Sequence, residues 1–261
     1  MEISFLQLLL LGILAGSANI LGGLFLTWTG VATRYKSLLK YVLALGAGFM
    51  LAVIFVELLP KTFNLWKAQG EEAFLVPMVL FLGGYLLTQF FEHTIAPHIH
   101  LGEEVHHCEE HIISTSSAYT AIGGLLIHTF FDGVSIAAAS QVDFKAGLLV
   151  FLAIFLHKFP EGFTIASLIL ATGKGLKQVL IATSLVGFTT LLGVLISGSL
   201  VFSVKYALPL ASGVTLYVAA SDLIPEVNHH GGKKPIVSLS VFAGVALFFA
   251  LHYLLHTALE S

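Results

Sequence analysis

Residues 122–140 read IGGLLIHTFFDGVSIAAAS, and residues 147–170 read GLLVFLAIFLHKFPEGFTIASLIL. Each lies in an apolar run of about the 20 residues that cross a bilayer as a helix. Each carries the same interruption near its middle: a histidine, three residues, an acid and a glycine. The first copy is His128-Thr129-Phe130-Phe131-Asp132-Gly133. The second is His157-Lys158-Phe159-Pro160-Glu161-Gly162. Carboxylates at bilayer depth are costly unless they are paired or face a watery cavity. Two such acids, each with a histidine four residues before it, therefore ask for a chemical reason.

The rest of the chain repeats the apolar pattern. Of 261 residues, 57% are hydrophobic and only 10% charged, and the mean hydropathy is +0.93. Soluble domains carry about a quarter charged residues, so this chain cannot clothe a water-facing surface. Spans are expected at 5–30, 38–60, 74–96, 117–140, 145–171, 176–203, 206–227 and 235–258. Backbone groups in lipid must bond internally, so all eight are expected as helices. The fold class is then an all-α polytopic membrane protein, with 1–261 as a single transmembrane domain. Residues 5–30 are read as a retained span rather than a secretory signal, because the start Met1-Glu2-Ile3 lacks positive charge. The net charge of −3 gives no sign of nucleic-acid binding. The single cysteine, Cys108, excludes an internal disulfide.

Loop charge sets an orientation. Arg34, Lys36, Lys40, Lys174, Lys177, Lys233 and Lys234 fall on one side, and Lys61, Lys67, Lys145 and Lys205 on the other. The positive-inside rule then puts both termini outside and the long, His-rich 97–115 loop in the cytoplasm. An internal repeat sharpens the architecture. Ala47-Gly48-Phe49-Met50-Leu51-Ala52-Val53 with Glu57-Leu58-Leu59-Pro60 aligns, without gaps, with Ser212-Gly213-Val214-Thr215-Leu216-Tyr217-Val218 with Asp222-Leu223-Ile224-Pro225. The copies lie in spans two and seven, which cross in opposite directions. Spans 1–3 and 6–8 are thus expected as inverted repeats flanking spans four and five, a common plan of secondary transporters.

Helix residues four apart share a face. His128 with Asp132, and His157 with Glu161, therefore each point an imidazole and a carboxylate one way. If the two faces meet, two nitrogen and two oxygen ligands converge, a set suited to zinc and also to iron(II), manganese or cadmium. The alternative is a pair of hydrogen-bonded His–acid contacts that only hold the bundle together. Pro160 removes a backbone hydrogen bond and displaces the Leu156 carbonyl, so a kink beside His157 is expected. Lys158 is either a counter-charge to Glu161 or Asp132, standing where a second ion would, or a side chain snorkelling to the interface.

These motifs resemble the Zrt-/Irt-like (ZIP) family of divalent metal transporters over the whole chain. His128-x-x-x-Asp132-Gly133 is similar to the family's fourth-helix motif. His157-x-x-Pro160-Glu161-Gly162 is similar to its fifth, and Glu57-Leu58-Leu59-Pro60 to the end of its second. The resemblance implies a 3+2+3 helix arrangement, a homodimer, metal movement towards the cytoplasm, and Met50 near the ion. The chain departs from the family at Thr129, at Lys158, and in having no acid in span six. One ion rather than two is therefore expected, at His128, Asp132, His157 and Glu161.

Other residues carry lesser expectations. Glu57 and Asp222 are read as pathway acids at the outer and inner mouths, or as solvated interfacial acids. His93, His98, His100, His106, His107 and His111, with Glu103, Glu104, Glu109 and Glu110, either capture metal or form a plain polar loop. His252 and His256 are read as packing residues at the lipid interface or in a dimer. The metal is a transported substrate, with no prosthetic group, and the partners are divalent ions, lipid and a second copy. The chain is not expected to be an enzyme; the rival reading is an intramembrane metal-dependent hydrolase, against which stands the missing His-Glu-x-x-His sequence. Short loops point to a bacterial inner membrane.

Overall fold

The computed structural model describes residues 4–27, 32–94, 115–199, 204–231 and 235–259. Five of the sequence-predicted loop histidines, His98, His100, His106, His107 and His111, lie outside them. The helices are α1 (Phe5–Thr27), α2 (Ala32–Ala52), α3 (Leu59–Trp66), α4 (Leu75–Thr94), α5 (Thr115–Val142), α6 (Phe144–Ala171), α7 (Leu176–Ser199), α8 (Val204–Tyr217), α9 (Ile224–Gly231) and α10 (Pro235–Leu259). Among the described residues, seven helical runs are long and apolar enough to cross a membrane. The eighth span is the run from α8 to α9, which carries Lys205, Ser212, Thr215, Ser221 and Asp222. Of these, Ser212 and Thr215 are buried in the protein.

Spans two and seven each change helical form at the same point of the repeat. A π-helical segment, Val53–Leu58, joins α2 to α3, and another, Val218–Leu223, joins α8 to α9. Pro60 and Pro225 stand just beyond them. A proline deprives the carbonyl four residues back of its donor, and a wider π turn is one way for a helix to absorb that change. Span two was expected to end at 60; instead the helix resumes and runs to Trp66. Proline at the start of a new helical segment needs no N–H there, so it restarts the helix rather than ending it. Pro160 lies inside α6, which stays helical on both sides of it.

The inverted repeat extends through the packing. On α2 and α10, a β-carbon at Gly48 would strike the Val241 carbonyl, and one at Gly244 the Leu45 carbonyl. On α8 and α4, one at Gly213 would strike the Phe81 carbonyl, and one at Gly84 the Leu210 carbonyl. A shift of 165 carries 45 to 210 and 48 to 213, while a shift of 160 carries 81 to 241 and 84 to 244. The same holds for the other half. Gly22 meets the Phe159 carbonyl and Gly162 that of Asn19, where α1 crosses α6; Gly193 meets that of Phe130 and Gly133 that of Thr190, where α7 crosses α5. A shift of 171 carries 19 to 190 and 22 to 193, and one of 29 carries 130 to 159 and 133 to 162. Gly16 and Gly187 meet each other between α1 and α7, at the centre of the relation.

Small residues let membrane helices approach closely enough for backbone contact. Here they divide the protein into two bundles: α1, α5, α6 and α7 in one, and α2, α3, α4, α8, α9 and α10 in the other. The seam between them is lined by α5 against α8 and by α6 against α2. Adjacent Gly83 and Gly84 test the close approach, because nothing lies within 4 Å of a β-carbon at Gly83. Gly84→Ala is expected to destabilise the protein by about 1–3 kcal/mol, and Gly83→Ala to leave it unchanged or slightly firmer. Thermal unfolding in detergent reads the difference; equal melting of the two variants would refute the contact.

Candidate metal centre

The four motif side chains meet at the middle of the seam. His128, Asp132, His157 and Glu161 each offer a ligand atom, all within 4.8 Å of one another. His128 and Asp132 come from α5, and His157 and Glu161 from α6; these helices pack side by side. The two imidazole rings lie 5.8 Å apart at an interplanar angle of 62°. His128 Nε2 is 3.2 Å, and His157 Nε2 3.5 Å, from the same Asp132 oxygen, Oδ2. The other nitrogen of His157, Nδ1, is hydrogen-bonded at 3.2 Å to the Ala153 carbonyl one turn back. That contact leaves Nε2 aimed at the centre, the usual way in which a ligating imidazole is oriented.

Lys158 reaches the centre as well. Its Nζ lies 2.7 Å from Asp132 Oδ2 and 2.7 Å from Glu161 Oε2. It is fully buried, so it does not snorkel, and it counters both acids rather than one. With neutral imidazoles the site then holds one net negative charge, from two carboxylates and one ammonium. Several buried donors remain without a hydrogen-bond partner: His128 Nε2, His157 Nε2, Asp132 Oδ1 and Glu161 Oε1. Buried polar atoms are normally satisfied. Lys158 bonds one oxygen of each acid, and the remaining carboxylate oxygens and imidazole nitrogens converge as a set that suits a cation as the missing partner.

A second group of donors adjoins the first. Glu92 near the end of α4, His128, and Asp222 in the π segment after α8 also lie within 4.8 Å of one another. His128 Nδ1 is 3.9 Å from Glu92 Oε1, so one imidazole faces both groups with its two nitrogens. Glu92 is a residue that sequence reasoning missed. Its signal was an acid inside the end of an apolar span, next to His93. His93 itself is exposed on the last turn of α4, with Nδ1 at 3.1 Å from the Gln89 carbonyl.

Glu57 lies apart from this centre. It is buried in the π segment before α3, with Lys61 Nζ 3.2 Å away and His252 Nδ1 3.4 Å away. It is therefore a paired acid rather than a solvated interfacial one. His252 packs its ring on Phe248 and serves as an intramolecular partner of Glu57, not only as a lipid-facing residue. His256 is exposed. Met50 is fully buried in the apolar core together with Val53, Ile54 and Ile154.

A helical bundle with buried, lysine-neutralised His and carboxylate donors on its seam defines a polytopic membrane protein of the metal-handling class. Comparison with known proteins places it more closely. Residues 98–252, more than half of the chain, match the family model described as ZIP zinc transporter, and the chain belongs to that family. It is 31% identical over 160 residues to Zinc transporter ZIP9 of Micropogonias undulatus, covering 57% of this chain and 50% of that protein. It is 33% identical over 115 residues to Zinc transporter ZIP4 of Homo sapiens, covering 43% of this chain and 18% of that one. With Metal cation symporter ZIP14 of Xenopus tropicalis the identity is 31% over 140 residues, covering 50% and 30%. The chain thus spans about half the length of the ZIP9 relative it matches.

Proposed function

We propose that this protein carries divalent transition-metal ions, zinc foremost and with iron, manganese or cadmium as further substrates, across the bilayer towards the cytoplasm. The observation that carries this reading is the set of unpartnered lone pairs on His128, Asp132, His157 and Glu161 at the seam between two bundles. Nitrogen and carboxylate ligands hold zinc but exchange it, because protons compete for the same lone pairs. A site on a seam is exposed to each side in turn when one bundle moves against the other. Lys158 places one positive charge between the two acids, where a second ion would stand, so the centre takes one metal at a time. Asp222 and Glu92 form the next station on one side, with His128 passing the ion between the two groups. Met50, a soft thioether in the apolar core, stands near the path of the ion.

The orientation follows from loop charge, with both termini outside and the 97–115 loop in the cytoplasm, where its histidines capture released metal. A homodimer fits α4 and α10, along which few residues are buried within one chain. The expected bacterial inner membrane gains no support from the relatives, which come from fish, frog and mammal. The hydrolase reading gains no support from the comparisons, whose family and relatives are described as metal transporters.

Uptake into sealed proteoliposomes, with zinc, iron(II), manganese and cadmium in competition, tests the proposal. Saturable uptake with zinc as the strongest competitor is expected. Stoichiometric bound metal without uptake would leave a receptor or an enzyme in place of a transporter. Asp222→Asn is expected to slow uptake while leaving metal bound at the centre, as read by equilibrium dialysis. Loss of central binding in that variant would contradict its role as a separate station.

A further inference from the structure

The two halves of this fold are related by an inverted repeat, so the states open to either end have related packing. A preference for one end must then come from residues that break the relation. Lys61 and Asp143 do so. Lys61, on α3, belongs to one bundle, whereas Asp143 stands at the turn between α5 and α6 in the other. Lys61 Nζ lies 2.8 Å from Asp143 Oδ2 and 3.2 Å from Glu57 Oε1. The shift of 29 that relates α5 to α6 carries 143 to 172. Thr172 stands there, and its hydroxyl donates back to the Ile169 carbonyl of its own helix at 2.7 Å. The tie between bundles is thus present at the α5–α6 end, and among the described residues Thr172, the counterpart of Asp143, makes a local bond instead.

The tie is also well anchored. Glu57 is 5% exposed, and His252 Nδ1 lies 3.4 Å from its other oxygen. Asp143 caps α6, accepting from the Lys145 N–H at 3.3 Å. Burial would raise the Asp143 carboxyl, but the Lys61 hydrogen bond and charge, with backbone N–H donors, hold it below the usual range.

We propose that Lys61 is a one-sided latch: by joining Glu57 of one bundle to Asp143 of the other, it holds the α5–α6 end closed and biases the protein towards access from the opposite end. This rests on the transporter reading of the two bundles. The ligand that opens the latch is no separate molecule; the bundles part when their relative movement carries Asp143 out of reach of Nζ.

The test uses Ser135→Cys in a Cys108→Ser background. Ser135 is buried on α5 between the centre and Asp143, and faces Thr215 of α8 across the seam at 3.3 Å. A membrane-impermeant thiol reagent is applied to intact cells and to inverted vesicles, so that both ends are sampled without added metal. Asp143→Asn keeps a good helix cap and removes the charge. It is expected to raise labelling from the α5–α6 end by about two- to fivefold, the range in which a partly exposed ion pair shifts an equilibrium. Lys61→Met is expected to raise it further, and Asp143→Glu to restore the original rate. Unchanged labelling in Asp143→Asn, or equal gains from both ends, would overturn the latch. Because labelling needs no metal, failed zinc uptake would overturn the transporter reading without altering this result.

Discussion

His157→Ala is expected to abolish saturable zinc uptake and to weaken metal binding about 100-fold or more. Changes behind a metal ligand already cost about 10–100-fold, and His157 offers the donor itself. Its Nε2 is buried, has no hydrogen-bond partner, and is oriented by the Ala153 carbonyl through Nδ1. The variant should still fold, because removing the ring takes away one backbone contact and leaves Lys158 between its acids. Uptake and equilibrium dialysis are read on the same preparation, with melting temperature as the control. Full uptake in a folded His157→Ala protein would mean that metal passes by another route, and the centre would become a structural His–acid contact.

The second large effect belongs to Lys158. Replacing it with Met removes the only ammonium that the structure places between Asp132 and Glu161. Removing one partner of a buried ion pair typically destabilises by about 3–5 kcal/mol, because an uncompensated charge stays buried. The metal-free variant should therefore unfold at a markedly lower temperature. Divalent metal should restore much of that loss, since ions that bind the native state stabilise it by mass action. The zinc-induced rise in melting temperature is thus expected to be larger in Lys158→Met than in the wild type. Metal stoichiometry gives a second measure, rising from one per chain towards two as the space of the ammonium is vacated. If the wild type already binds two ions, Lys158 is not the stand-in for the second. If the variant is as stable as the wild type without metal, the ion pair contributes little and the charge argument fails.

Much of this protein is legible in one dimension because the bilayer restricts the answer so strongly. The all-helical membrane class, the approximate positions of the spans and the facing of His128 with Asp132 follow from apolar length and the i, i+4 period alone. The repeat around Gly48 and Gly213 was visible as aligned letters, and the π segments at Glu57 and Asp222 lie within it. What could not be read was the consequence of a proline. Pro60 was taken as the end of a span, yet a π turn precedes it and the helix runs on to Trp66; Pro160, by contrast, stands inside a helix that continues past it. Local sequence states that a hydrogen bond is lost, but neighbouring helices decide how the backbone adjusts.

Glu92 and Asp143 show the same limit from the side of charge. Neither stands in a motif, and each gains its meaning from a partner far along the chain: His128 for one and Lys61 for the other. Sequence by itself determined the membrane class, the eight-span plan, the inverted repeat and the four donors of the centre. Tertiary structure decided that these donors meet, that Lys158 sits between both acids, and that Lys61 pairs with Asp143 across the two bundles. Periodicity fixes which face of a helix a residue occupies, whereas the packing of glycine-lined helices fixes which faces meet.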